Sequence, residues 1–370
     1  MSPADFAAFS NNAIAFASVV YVLALLSHVA EWAFGRSLPA SGAAAGGVQA
    51  SSVAASGVAV SGTAVEEEVR AEQPVAVGAP VDASAADAGP SYGGAAAADD
   101  RAGEDLGPAD LAQQSYKVEK FGRIGVSLTV VAAALHLAGL VARGLGADPA
   151  RVPWGNMYEF AIAGAFGVTA IYLVLLKKYS LRWLGVFVTA FSVVVLMLAV
   201  LLLYVPAGPL VPALQSYWLV IHVVAAVIAT GAFTVGAMAS VLYLVKSRAE
   251  ARPESPRTGY VARLPKAAVL DRVAYRVHAF GFPVWTFAAL IAGPIWAEYA
   301  WGRYWGWDPK EVWAFITWVV YAAYLHARAT AGWRGKGAAV IALIGFATLM
   351  FNFVGINLFG SGLHSYSGLD

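Results

Sequence analysis

Eight stretches of this chain stay apolar for about twenty residues, the length a helix needs to cross a bilayer. They lie at residues 12–34, 121–142, 157–176, 181–204, 217–245, 277–296, 312–329 and 338–359. Backbone polar groups in hydrocarbon have no water to bond, and a helix satisfies them within each span. The spacing therefore predicts an all-α, polytopic membrane protein with about eight transmembrane helices. Composition agrees: 59% of the 370 residues are hydrophobic, 13% are charged and the mean hydropathy is +0.64. Ordinary soluble domains are only about half apolar. A net charge of +1 speaks against a nucleic-acid partner. With no cysteine there is no disulfide, thiolate metal site or cysteine nucleophile.

The spans divide the chain. Residues 1–34 read as an N-terminal transmembrane anchor, retained because no basic n-region or clear cleavage site accompanies it. Residues 35–120 are rich in Ala, Gly, Ser and Val, with almost no aromatics. That composition cannot pay for a packed core and predicts a disordered, low-complexity linker. Residues 121–370 hold the other seven spans and form the membrane domain.

Lysine and arginine set the orientation. With the N-terminus outside the cytoplasm, the inward segments 35–123, 177–182, 246–276 and 328–336 carry twenty basic residues. The outward side keeps four: Arg143, Arg151, Arg303 and Lys310. The linker is then cytoplasmic. The loop around residues 296–313 and the C-terminal tail face outward from a multi-pass protein of the cell membrane.

That loop belongs to a stretch, WAEYAWGRYWGWDPKEVWAFITW at 296–318, which holds six of the chain's 12 tryptophans. Asp308, Pro309 and Glu311 read as a helix start, with a capping aspartate, proline at the first helical position and an acid three residues after the cap. Tryptophan gathers at membrane interfaces, and for any single ring an aromatic belt is explanation enough. A belt, however, spreads around a protein, whereas these rings are consecutive in one glycine-containing loop. Trp301, Trp305 and Trp307 beside Arg303 and Lys310 suit a flat apolar ligand bearing carboxylates, as haem does.

Topology sorts the six histidines. His222, six residues into the fifth span, and His364, beyond the eighth, share the outward face with the tryptophans. Two imidazoles and an aromatic platform can hold one haem iron from both axial sides. Taken singly, each is as readily a satisfied polar group. His326 follows Glu311 by 15 residues on one helix, so it sits roughly 22 Å deeper. It cannot share a haem with the outer pair, and an ionisable group at that depth is a functional candidate. His28 and His278, near inner helix ends, read as hydrogen-bonded residues, with ligation opposite His326 as the alternative. His136 reads as a contact to a neighbouring helix, with lining of the haem path as the alternative. Arg143 and Arg151 join Arg303 and Lys310 as candidate carboxylate contacts.

WGRYWGWDPKE at 301–311 resembles the WWD signature of the haem-handling proteins of cytochrome c maturation. PWGNMYE at 153–159, LQSYWLVIH at 214–222 and VGINLFGSGLHSY at 354–366 are similar to the CcsA/ResC branch of that family. The resemblance runs from about Gly122 to the C-terminus and leaves the linker without a counterpart. It implies haem b as substrate and bound ligand, with His222 and His364 as axial ligands outside and His326 as a membrane-embedded one. It further implies Asp308 within the haem-binding loop and a ResB-type partner subunit. The implied reaction is thioether attachment of haem to the CxxCH segment of apocytochrome c, with this chain as a subunit of the haem lyase. A haem transporter, a WWD haem chaperone without synthase activity and a membrane b-type cytochrome are the alternatives.

Overall fold

The computed structural model describes residues 1–36, 38, 107–252, 259–330, 333–360 and 362–364. Most of the expected linker lies outside the described residues. The described part is helical, without strands, and contains eight long helices. They are α1 (Pro3–Phe34), α2 (Pro108–Leu145), α3 (Met157–Tyr179), α4 (Leu181–Leu202), α5 (Tyr217–Glu250), α6 (Ala267–Trp301), α7 (Pro309–Ala329) and α8 (Lys336–Phe359). Seven are long and apolar enough to cross a membrane. The exception is α7, which has the length but carries Thr, Trp, Tyr, His and Arg along it.

The helices begin where local chemistry starts them. Ser2 and Asp5 form a capping box on α1, Asn156 accepts from the Glu159 amide at α3, Ser216 caps α5, and Asp308 with Glu311 forms a capping box on α7. Each side-chain oxygen supplies one of the first-turn amides with the acceptor it otherwise lacks. Several helices outrun their apolar stretches. Helix α2 begins at Pro108, so residues 108–120, read from composition as linker, are helical instead. Proline at the first position and the Glu119–Arg123 ion pair at 2.7 Å support this polar extension.

Helix α1 is built into the bundle along α2 and α4. Ser10 Oγ donates to the Gly139 carbonyl at 2.7 Å, and a Cβ on Gly139 would meet Ile14 at 2.8 Å. One end of the bundle gathers the N-terminus, the 146–156 and 203–216 connections, the tryptophan loop and the tail. Asn11–Tyr204, Arg151–Gly208, Trp296–Ala213 and His364–Asp308 hydrogen bonds tie them together. At the opposite end Arg182 joins Glu31 and Glu119, and Arg328 pairs with Asp271.

Two helices change pitch midway. In α6 residues Phe287–Ala292, and in α8 residues Phe351–Gly355, are π-helical. In α6 the cause is local: Pro294 has no amide to donate, and the Gly293 amide bonds the Ala288 carbonyl five residues back. Both π segments border the same cavity.

Candidate functional site

That cavity, of about 440 Å³, lies at the tryptophan-loop end between α3, α4, α5, α6, α7 and α8. Its volume falls within the roughly 300–1,000 Å³ of small-molecule and cofactor sites. Its wall is overwhelmingly apolar; His222, His364, Trp305, Lys310, Glu311 and Asn357 gather at one end, and Thr230, Thr234 and Asn352 are the other polar side chains on it.

His222 arises from the second turn of α5. Its Nδ1 lies 2.9 Å from the Ala288 carbonyl, so Nδ1 carries the proton and donates. The acceptor belongs to the π segment of α6. Nε2 is left with its lone pair, the form in which imidazole binds a metal. The ring has room because residue 293 is glycine: a Cβ there would stand 3.2 Å from His222. Trp296 stacks on the imidazole at 5.8 Å with an interplanar angle of 12°.

His364 reaches the same place from the far end of the sequence. Its Nδ1 donates to Asp308 Oδ2 at 2.8 Å, which again frees Nε2. Asp308 therefore does more than start α7. One oxygen accepts from the Lys310 amide and from His364; the other accepts from the Leu363 amide at 2.7 Å. Burial pushes its pKa up, but the bonds from His364 and Leu363 outweigh burial and hold the carboxyl below its ordinary value. Trp296 and Trp301 flank His364 at 5.4 and 4.8 Å, so Trp296 touches both imidazoles.

The loop between α6 and α7 is braced by Glu311, which accepts from the Gly306 and Asp308 amides at 2.9 and 3.0 Å. Trp305 borders the cavity, and its Nε1 is buried with no hydrogen-bond partner among the described residues. Lys310 also borders it, with Nζ 2.8 Å from Asn357 Oδ1. Trp307 is 66% exposed and adopts φ 57°, a left-handed conformation that a bulky residue rarely takes. Such strain tends to persist where function requires it.

The other sequence candidates go elsewhere. Arg303 is exposed and folds over Gly306, away from the cavity wall. Arg143 and Arg151 are not free to meet a ligand's carboxylates. Arg143, 1% exposed, bonds Glu159 Oε1 at 3.1 Å and the Val205 carbonyl, between the rings of Tyr158 and Tyr204. Arg151 pairs with Glu159 Oε2 at 2.7 Å. His326 is exposed on the outside of the bundle, and α7 borders the cavity only through Lys310, Glu311 and Ala314. His278 packs against Tyr321 and Tyr324 on the buried face of the same helix, with Nε2 3.3 Å from Ser240 Oγ, so it does not face His326. His28 is fully buried beside Glu31 at 3.3 Å, and His136 lies between Tyr21 and Phe166.

Three participants had escaped the sequence reading as site residues: Trp296, Asn357 and the Ala288 carbonyl. Trp296 lies within the tryptophan loop stretch, and Asn357 within the 354–366 motif at the end of the eighth span. The Ala288 carbonyl, which also accepts the Gly293 amide, had one sequence trace, the Gly293-Pro294 interruption of the sixth span.

A family model described as cytochrome C assembly protein matches residues 154–364. Every residue bordering the cavity falls inside that interval, with His364 at its last position. The chain is 36% identical over 297 residues to a cytochrome c biogenesis protein CcsA of Synechococcus sp. (strain JA-3-3Ab), covering 66% of this chain and 84% of that relative. It is 38% identical over 256 residues to the CcsA of Synechococcus elongatus, covering 58% and 78%. Against the CcsA of Guillardia theta it is 38% identical over 234 residues, covering 59% and 77%.

Proposed function

Because this chain belongs to the cytochrome c assembly protein family and has its role in cytochrome c biogenesis, we propose that it receives haem b and presents it at the His222–His364 site for covalent attachment to apocytochrome c. The observation that carries this reading is the matched state of two histidines from distant parts of the chain. Each commits Nδ1 to an acceptor, Ala288 or Asp308, and keeps Nε2 for a metal at the polar end of one apolar cavity. A hydrogen bond on the far nitrogen is the usual way a protein orients an imidazole toward a metal.

The rest of the wall fits the same cargo. A porphyrin offers a broad apolar face, and the cavity is aliphatic and aromatic. Its propionates need donors, and the Trp305 Nε1, unpartnered among the described residues, and the Lys310 ammonium stand at the polar end. Trp301 buttresses His364 and Trp296 behind the cavity wall. Arg303 is a candidate rim contact, since an exposed side chain can swing.

The chemistry asks little of the protein's own nucleophiles. Each cysteine S–H of a CxxCH segment adds across a haem vinyl group: sulfur bonds one carbon and the proton goes to the other, with no net change in oxidation level. The substrate supplies the thiols, consistent with a chain that has no cysteine. The protein contributes position, holding the porphyrin edge against a docked peptide so that an encounter becomes an oriented reaction. The substrate's histidine then replaces one axial ligand. His364 suits exchange, because it sits on a tail held by Asp308 rather than within a span.

In this reading the tryptophan loop faces outward, and His326, on the bundle's exterior, meets haem at depth together with a ResB-type subunit. The test is the absorption spectrum of the protein purified with that partner, compared with His222→Ala, His364→Ala and His326→Ala. The expected result is a bis-histidine spectrum altered by either of the first two changes, with haem supply lost in the third. If all three variants keep wild-type haem and still mature cytochrome c, the assignment is wrong. Intact thioether formation without this chain, when haem is supplied outside, would favour a plain transporter.

A further inference from the structure

The cavity extends well beyond the two histidines. On α5 its wall runs from Leu219 and His222 to Thr234. Twelve residues separate His222 from Thr234, so the cavity reaches about 18 Å toward the middle of the bundle. Its loop end is capped by Leu214 and by Trp296, whose Nε1 donates to the Ala213 carbonyl at 3.0 Å. Its deep end meets the buried side chains of Val168, Thr234 and Trp285. One side differs. Leu198 and Leu202 on α4, and Val354 and Leu358 on α8, border the cavity and are exposed on the bundle surface. Helix α4 packs on α1 and α3, while α8 packs on α5 and α7. These two walls part along the bundle's apolar flank, where the surrounding solvent is hydrocarbon.

Resting on the haem-binding reading above, we propose that this gap between α4 and α8 is a lateral portal, through which the porphyrin enters from the membrane to reach His222 and His364. An aqueous entry would have to pass the Trp296 and Leu214 cap. A route through the bundle from His326 would need that residue to face the cavity, and it points outward. The side opening needs neither. Leucine and valine at its edges match a planar apolar solute arriving from lipid and make no polar bond that would detain it. The deep apolar reach between Thr234 and His222 lets the ring pass inside before its carboxylates meet Trp305 and Lys310 at the polar end.

The absence of native cysteine permits a reversible test on the full chain. Two double variants, L198C/L358C and L202C/V354C, are joined across the gap with a bis-maleimide whose linker contains a cleavable disulfide. Uptake of haemin from phosphatidylcholine vesicles is followed by the Soret shift in linked, cleaved and unlinked protein, with His222→Ala as a parallel arm. The portal predicts uptake at least about tenfold slower in the linked protein, as expected when a gate is held shut, and recovery on cleavage. Recovery also shows that linking did not unfold the chain. Linked protein that loads as fast as unlinked protein in both pairs overturns the portal while leaving the haem site intact. Unlinked wild type that never shifts the Soret band, or a His222→Ala variant that loads normally, overturns the underlying haem reading as well.

Discussion

The Nδ1 of His364 and the Oδ2 of Asp308 lie 2.8 Å apart, although 56 residues separate them. One carboxylate thus starts a helix and aims an imidazole. Replacing Asp308 with Asn keeps a capping side chain but removes the charge that fixes the imidazole's proton on Nδ1. The expected outcome is a 10- to 100-fold loss of haem affinity, roughly what second-shell partners of a metal ligand supply, with melting temperature changed far less. Haemin titration followed by the Soret band measures it.

The same carboxyl sets a pH dependence. Its folded pKa lies below its ordinary value, because the His364 and Leu363 bonds outweigh burial. A depressed acid contributes stability that is full above its unfolded pKa of about 3.9 and is lost as pH falls through the folded value. Attachment of the tail to the loop therefore holds at neutral pH and weakens only in acid. Fluorescence from a reporter placed at Leu363 should stay constant down to about pH 4 and change below it. Asp308→Asn should abolish that acid step.

Gly293 packs against the His222 ring, and a Cβ there would stand 3.2 Å from both His222 and the Ala288 carbonyl. Gly293→Val should push the imidazole off its acceptor. Haem retention should drop as far as in His222→Ala, while helix content measured by circular dichroism stays at the wild-type level. Retention at the wild-type level would mean that the ring does not need this pocket.

Trp305 offers a sharper separation of stability from binding. Its Nε1 is buried and has no partner among the described residues, and a buried donor without an acceptor costs about 1–3 kcal/mol. Trp305→Phe removes that donor, so the haem-free protein should melt at the same temperature or higher. Haem dissociation should nonetheless accelerate, because a propionate loses its donor. Parallel thermal melts and haem transfer to a scavenger distinguish the two effects.

Arg143 and Arg303 should behave in opposite ways. Arg143→Ala strands the Val205 carbonyl and takes one of two guanidiniums from the fully buried Glu159, which keeps Arg151. A buried acceptor left without its donor costs about 1–3 kcal/mol. Arg303 is exposed, and Arg303→Ala should leave stability within about 0.5 kcal/mol of wild type. Denaturant titration of the two variants checks the contrast.

What the sequence determined by itself is what lives within one or two helical turns. The spans follow from runs of apolar residues, and the start of α7 follows from the spacing of Asp308, Pro309 and Glu311, since caps bond the first-turn amides a few residues away. The crowding of tryptophan around that start, with its motif, pointed to the cytochrome c assembly family. Tertiary structure alone decided which long-range partners meet. In α7 polar and apolar residues share both faces, with Thr317, Tyr321 and Tyr324 buried and Phe315 and Val319 exposed, so its pattern does not declare which face is inward, and each residue turns a helix face by about 100°. Hence the outward aim of His326, and the packing of His278 on the opposite face of α7, were not readable in advance. The same holds for Arg143 and Arg151, whose basic character and expected outward position suited a ligand but whose guanidiniums close on Glu159. The Ala288 carbonyl lies in a pitch change near Pro294, and only the packing of α5 against that segment turned it into the acceptor that orients His222.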